Sequence, residues 1–355
     1  MSTTRERRGP HPTAIPDRRG GRETAEEWTD SRAVQTRCVV TVGWLVIALG
    51  GVAAIVWGAE TFAEHLAVAS TRLGVSAFAL ALLLAGAEPE ELATAVTASL
   101  RDAPAIAFGD VIGANVAICL VALGVGALIA PLPFDKSVMR YGLGGLAAGA
   151  LAARLSWDGT IGRLGGLVLI TTYAVFVGLI WVLERRPPTL GETAELAEAA
   201  EYKEPGRVGI ELMLVFAGVT AMAIGAMALV EGIRRISDVE STQTVLGLTV
   251  VGFATAFELV ALAWSSARRG ISTAVVAAVV GSFTYNVTMT LGAGALARPL
   301  SIADAASLHV PWITMLASLT MVLVLAFPRH ELRRGAGLLL LATYPLFVTW
   351  VVLTG

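Results

Sequence analysis

Residues 86–132, GAEPEELATAVTASLRDAPAIAFGDVIGANVAICLVALGVGALIAPL, decide the fold because they occur twice. Residues 254–300, ATAFELVALAWSSARRGISTAVVAAVVGSFTYNVTMTLGAGALARPL, lie over them without a gap at an offset of 168 positions. Glu90 falls on Glu258, Arg101 on Arg269 and Gly113 on Gly281. Leu123-Gly124 falls on Leu291-Gly292, Gly126-Ala127-Leu128 on Gly294-Ala295-Leu296, and Pro131-Leu132 on Pro299-Leu300. Matched alanines carry little weight, since small residues recur in any membrane helix. A matched Glu, a matched Arg at the hairpin and a matched terminal Pro-Leu mark an internal repeat.

Composition identifies the solvent around that repeat. Hydrophobic residues make up 55% of the 355 residues, charged residues 15%, and mean hydropathy is +0.71. A soluble domain is about 45–50% apolar and about 25% charged. The apolar residues gather in stretches long enough for a helix to cross hydrocarbon, which takes about 20 residues. Only helices or closed barrels satisfy their backbone groups there. The expected spans are 39–59 (continuing as an amphipathic helix to 72), 75–100, 104–130, 138–154, 160–183, 208–233, 244–267, 271–297, 307–327 and 336–354. The chain therefore reads as an all-α polytopic membrane protein of about ten helices. It divides into an Arg/Pro-rich tail, 1–37, expected to be disordered, a first repeat over 38–184, a polar acidic linker over 185–207 and a second repeat over 208–355. Five spans per half is odd, so the second copy enters the membrane upside down. Inverted repeats with a site near the midplane are the mark of secondary transporters.

The repeat also carries the chemistry. Glu88, Glu90 and Glu91 fall in the middle of the second span beside Pro89. An ionised group there costs roughly 2.5–3.5 kcal/mol on insertion scales, so these carboxylates must face protein, water or a cation. A proline inside a helix frees carbonyl oxygens. Carboxylates and loosened carbonyls suit a hard cation such as Ca²⁺, which takes several oxygens. At 100° per residue, Glu88 and Glu91 share a face and Glu90 points elsewhere. Glu90 is the preferred ligand because its mate is Glu258; the bland reading of that pair is a polar helix contact. Glu88 and Glu91 are candidate ligands too, and read equally well as vestibule or helix-contact residues. Ser282 and Asn286 lie on one face with Ala278, against Asp110, Ala114 and Ile118 in the first half. Asp110, Ser282 and Asn286 are candidate ligands. The rival readings are helix-packing glue for Ser282 and Asn286, and a helix end in water for Asp110. Thr255, three residues before Glu258, adds a candidate hydroxyl.

These residues carry a resemblance. Gly86-Ala87-Glu88-Pro89-Glu90-Glu91-Leu92 and Gly109-Asp110-Val111-Ile112-Gly113-Ala114-Asn115 resemble the first α-repeat of the calcium/cation antiporter superfamily. Gly247-Leu248-Thr249, Ala254-Thr255-Ala256-Phe257-Glu258-Leu259, Gly281-Ser282 and Asn286 resemble the second, and Trp57-Gly58-Ala59-Glu60 resembles the family's first helix. The resemblance implies ten helices around a central site, two sliding or rocking peripheral helices, and exchange of Ca²⁺ or a related cation against Na⁺ or H⁺. It places Glu90 and Glu258 as the two acidic ligands; because the motif here has an extra Glu, it also admits Glu91. This chain departs from the family's motifs at Ala87, Glu88, Ala114, Ala256 and Phe257, where hydroxyls or proline are expected, and at Ile118, the ligand position that follows Ala114. Fewer neutral oxygens and more carboxylates make a poor multi-Na⁺ site and favour H⁺ as counter-ion.

The expected partners are inorganic cations and the lipid bilayer, with no nucleic acid and no cofactor apart from the transported ion. Net charge is −2, and Cys38 and Cys119 both sit in apolar runs, which leaves no disulfide framework. The four histidines, His11, His65, His309 and His330, are scattered outside the repeat hairpins, which argues against an enzyme. The rival functions are a monovalent Na⁺/H⁺ exchanger and a non-transporting structural membrane protein. The expected location is the plasma (inner) membrane of a prokaryote. The tail holds eight Arg, yet Arg185, Arg186, Lys203, Arg207, Arg268, Arg269 and the run from Arg329 to Arg334 lie on the opposite side, which favours an outward N-terminus.

Overall fold

A computed structural model describes residues 20–72, 88–184, 208–269 and 272–354. They fall into two units, divided after Gly43. The first contains the start of helix α1, Gly20–Arg72, which continues into the second. The stretch expected to be disordered to residue 37 is therefore helical from Gly20. The acidic linker and the first half of the second span lie outside the described residues.

Among its described residues, the larger unit is helical apart from turns and four two-residue strands. After α1 come α2 (Pro89–Leu100), α3 (Pro104–Ile129), α4 (Lys136–Leu155) and α5 (Arg163–Glu184). The second half holds α6 (Val208–Ile236), then α7, which runs from Glu240–Leu246 through Gly247–Val251 to Gly252–Arg269. Helix α8 runs from Ser272–Tyr285 through Asn286–Thr290 to Leu291–Ala297, and α9 (Ala306–Ala326) and α10 (Arg334–Thr354) close the chain. Among the described residues, seven helices are long and apolar enough to cross a membrane. Lys136–Leu155 is not among them, being interrupted by glycines and by Arg140 and Arg154. Phe216, Val324, Phe327 and Leu353 point outward, as they would toward lipid tails. Helix α3 is the core: 83% of its apolar window is buried, against 17% for α1 at the periphery.

Elements of the two halves match at several described positions. Helices α3 and α8 each contain a π-helical turn, at Ile118–Ala122 and Asn286–Thr290, at the same offset of 168 as the sequence repeat. Strand β1 (Leu132–Pro133) pairs antiparallel with β4 (Glu331–Leu332), and β2 (Thr160–Ile161) with β3 (Leu300–Ser301). Each pair joins the strand after a core helix to the strand before the other half's last helix. Helices α1 and α6 cross at glycines. A Cβ on Gly51 would lie 2.6 Å from the Gly225 carbonyl oxygen, and one on Gly58 would lie 2.7 Å from that of Gly218. Numbers rise along one helix as they fall along the other, so the pair is antiparallel. Small residues let the backbones meet where no hydrophobic effect drives association.

Ser99 Oγ on α2 donates to the carbonyls of Gly294 (2.6 Å) and Arg298 (2.7 Å), tying α2 to the end of α8. Ser99→Ala leaves those acceptors without this donor. It is expected to cost roughly 1 kcal/mol, read as a lower thermal midpoint of the detergent-solubilised chain with helicity unchanged.

Candidate functional site

The acidic cluster is built by the start of α2. Glu88 is not inside a helix: its φ of −118° and ψ of 87° are non-helical, and Pro89 is the first helical residue. Proline is favoured there because its missing N–H would be an orphan donor anyway, and its φ already fits the helix. Two carboxylates in the first turn, Glu90 and Glu91, match the positive end of the helix dipole. The expectation that Pro89 breaks mid-helix bonds and that Glu88 and Glu90 diverge by helical angle is therefore corrected. With Glu88 off the helix, the three side chains converge, each bringing an oxygen within 4.8 Å of the others.

All three are buried, Glu90 and Glu91 completely. Among the described residues, none of the four carboxylate oxygens of Glu90 and Glu91 has a partner at good hydrogen-bond geometry, although Asn286 lies close enough to interact with Glu91 and Glu88 with Glu90. Thr94 Oγ1 is committed to the Glu90 backbone carbonyl at 2.8 Å. Glu88 accepts a close hydrogen bond from Ser282 Oγ on α8, which brings the two halves together at the cluster.

A second link lies between α3 and α7. Thr255 Oγ1 donates to Asp110 Oδ1 at 3.0 Å, while Asp110 Oδ2 has no partner among the described residues. Asp110 is fully buried within α3, which overturns the reading of a helix end in water. Glycines permit this approach. A Cβ on Gly109 would lie 2.7 Å from Gly247 Cα, and one on Gly252 would lie 2.5 Å from the Ala114 amide nitrogen. The crossing falls at the π-helical turn Gly247–Val251, and such turns gather at functional sites. Glu258, a half-buried residue about one turn beyond Thr255, interacts electrostatically with both Glu90 and Glu91.

On α8, Ser282 and Asn286 are fully buried. Asn286 Oδ1 accepts from Thr290 Oγ1 at 3.4 Å, and its Nδ2 is without a partner at good hydrogen-bond geometry among the described residues. The structure adds Asn115, which the sequence reading passed over although it closes the Gly109–Asn115 motif. Asn115 is fully buried, its Nδ2 lies 3.5 Å from the Phe283 carbonyl, and its Oδ1 has no partner among the described residues. Of the eight candidates, only Glu90 and Glu258 are each other's mates under the repeat. The Asp110–Thr255 pair maps onto Ala278 and Ala87, and the Glu88–Ser282 pair onto Ala256 and Ala114.

This is an oxygen-rich site in apolar surroundings. A buried carboxylate without donors is costly unless protonated or neutralised by a cation. Carboxylate, hydroxyl and amide oxygens suit hard cations, not soft or redox metals.

Comparison with known proteins identifies the family. The family model for sodium/calcium exchanger protein matches the chain twice, over residues 43–182 and 210–353. An uncharacterized membrane protein of Methanocaldococcus jannaschii is 26% identical over 290 residues, covering 81% of this chain and 89% of that one. The sodium/calcium exchanger MaX1 of Methanosarcina acetivorans is 24% identical over 346 residues, covering 87% and 98%. A solved structure of the sodium-calcium exchanger NCX_Mj, soaked with 10 mM Na⁺ and 10 mM Sr²⁺, superposes with a TM-score of 0.56 at 23% identity and covers 88% of this chain and 98% of its own. With its model matched in both halves of an integral membrane chain, the family is shown: this protein belongs to the sodium/calcium exchanger proteins.

Proposed function

We propose that this chain is a secondary active cation antiporter, exchanging Ca²⁺ for H⁺ by alternating access at a midplane site centred on Glu90 and Glu258. In this reading ten spans form two inverted repeats, 38–184 and 208–355, joined by the linker 185–207, in the plasma (inner) membrane of a prokaryote. The antiparallel α1–α6 pair, the exchanged strand pairs and the twice-matched family model support it. The observation that carries the function is the set of buried Glu90 and Glu91 oxygens without partners at good hydrogen-bond geometry, facing Glu88 and near Glu258. Such a cluster holds its charge only when something positive sits in it.

Ca²⁺ takes six to eight oxygens at about 2.3–2.6 Å. Glu90 and Glu258 supply the principal charge. Asn286, Ser282, Asp110, Thr255, Glu91 and Glu88 supply the remaining oxygens or hold those that do. Release of the cation leaves carboxylates that must be neutralised before the site can cross the apolar barrier. Protons do this one carboxylate at a time, whereas Na⁺ needs neutral oxygens that Ala87, Ala114, Ile118 and Ala256 do not offer. Proton coupling therefore fits this donor set better than sodium coupling.

Reconstituted vesicles test it. An imposed pH gradient is expected to drive Ca²⁺ uptake, and a Na⁺ gradient of equal size is expected to drive little. Uptake with Na⁺ alone would reverse the counter-ion. Uptake of Na⁺ but not Ca²⁺ under the pH gradient would make the chain a monovalent exchanger.

A further inference from the structure

A groove of about 690 Å³, lined by none of the site carboxylates, opens between α4 and α9. It runs along α4 from Lys136 to Leu146 and along α9 from Thr320 to the Phe327–His330 turn. The two helices touch deeper down, where a Cβ on Gly149 would meet Leu316 at 2.9 Å. The walls are almost wholly apolar, and Leu143, Val324 and Phe327 are each at least 60% exposed on the outer surface.

The charge lies at one end, where Lys136 begins α4 and Arg140 follows one turn on. The imidazole of His330 stands across from them, and all three are exposed lining residues. Pairing of β1 with β4 brings the two loops carrying these groups to the same membrane face. The nearby acids are engaged: Asp135 caps α4 by accepting from the Val138 amide at 2.8 Å, and Glu331 is ion-paired with Arg333. The eleven residues from Lys136 to Leu146 rise about 15 Å, or one leaflet of a hydrocarbon core about 30 Å thick.

We infer that this groove is a binding site for one anionic phospholipid of the surrounding bilayer, its phosphate on Lys136, Arg140 and His330 and an acyl chain along Leu143, Leu146, Leu323 and Val324. A zwitterionic lipid fits the apolar walls equally well but gains less from the basic end, so preference for an anionic headgroup is the signature. Basic side chains near an anionic headgroup each contribute enough that losing two costs about 30-fold in binding.

The test is native mass spectrometry of the full chain from micelles containing equal phosphatidylglycerol and phosphatidylcholine, with circular dichroism as a check on folding. The wild type is expected to retain phosphatidylglycerol preferentially. Lys136→Gln combined with Arg140→Gln should lower that retention about 30-fold, whereas Arg154→Gln, on the same helix at the opposite membrane face, should not change it. Leu143→Trp, which narrows the groove and keeps every charge, should lower it too. Equal retention of the two lipids would overturn the site. So would retention in Leu143→Trp equal to the wild type, which would reduce the effect to general surface charge. Displacement of the lipid by inorganic phosphate at matched concentration would make it a phosphate site and refute the lipid assignment.

Discussion

Glu258→Gln is expected to lower cation flux in vesicles by more than about 100-fold, since even the partners that merely orient a metal ligand are worth about 10–100-fold. Glutamine keeps the shape of the side chain and removes its charge. Glu258 is half-buried on a regular stretch of α7, so the neutral isostere fits and the chain should still fold. Glu90→Gln should match it, because the repeat pairs these two positions. Glu91→Gln separates the two assignments for the first half. A smaller loss in Glu91→Gln than in Glu90→Gln supports the pairing of Glu90 with Glu258; the reverse order would give the principal role to Glu91. Full flux in Glu258→Gln would remove the paired-glutamate site altogether.

Gly252→Val is expected to prevent folding. A Cβ at Gly252 would lie 2.5 Å from the Ala114 nitrogen and 2.6 Å from the Gly113 carbonyl carbon, all backbone atoms of the core helix. Backbone cannot swing aside as a side chain can, so α3 and α7 would have to separate, breaking the Asp110–Thr255 contact with them. Overpacking ordinarily costs about 1–3 kcal/mol; a backbone-on-backbone clash in the core belongs at or above the top of that range. The variant should elute as aggregate and lack a cooperative melt. Gly178→Ala is the control. A Cβ there meets nothing within 4 Å, and alanine is the better helix former by about 1 kcal/mol.

Much of this protein could be read from residue order. Hydropathy anticipated the seven described helices that are long and apolar enough to cross a membrane, because the bilayer imposes a length, and the 168-residue offset paired the two stretches of the repeat. The same offset singled out Glu90 and Glu258 before any coordinates. The helix boundary at Pro89 was misplaced because apolar stretches lie on both sides of Glu88–Glu91 and hydropathy is blind to a cap. A proline followed by two glutamates was the available signal for a helix start. That one boundary changed the chemistry, since it brings Glu88 into the cluster. The π-helical turns at Ile118, Gly247 and Asn286 have no comparable sequence signature. Nor could spacing show that Thr255 reaches Asp110, 145 residues away, or that Ser282 reaches Glu88; these contacts depend on how α3, α7 and α8 cross.

Equilibrium binding of radiolabelled Ca²⁺ to the purified chain tests the central claim most directly, with wild type, Glu90→Gln, Glu258→Gln and the double variant compared. If both carboxylates hold the same ion, each single variant should lose nearly all of the affinity and the double variant little more. Half of the bound Ca²⁺ persisting in each single variant, with loss only in the double, would place the two glutamates in separate sites and contradict the account.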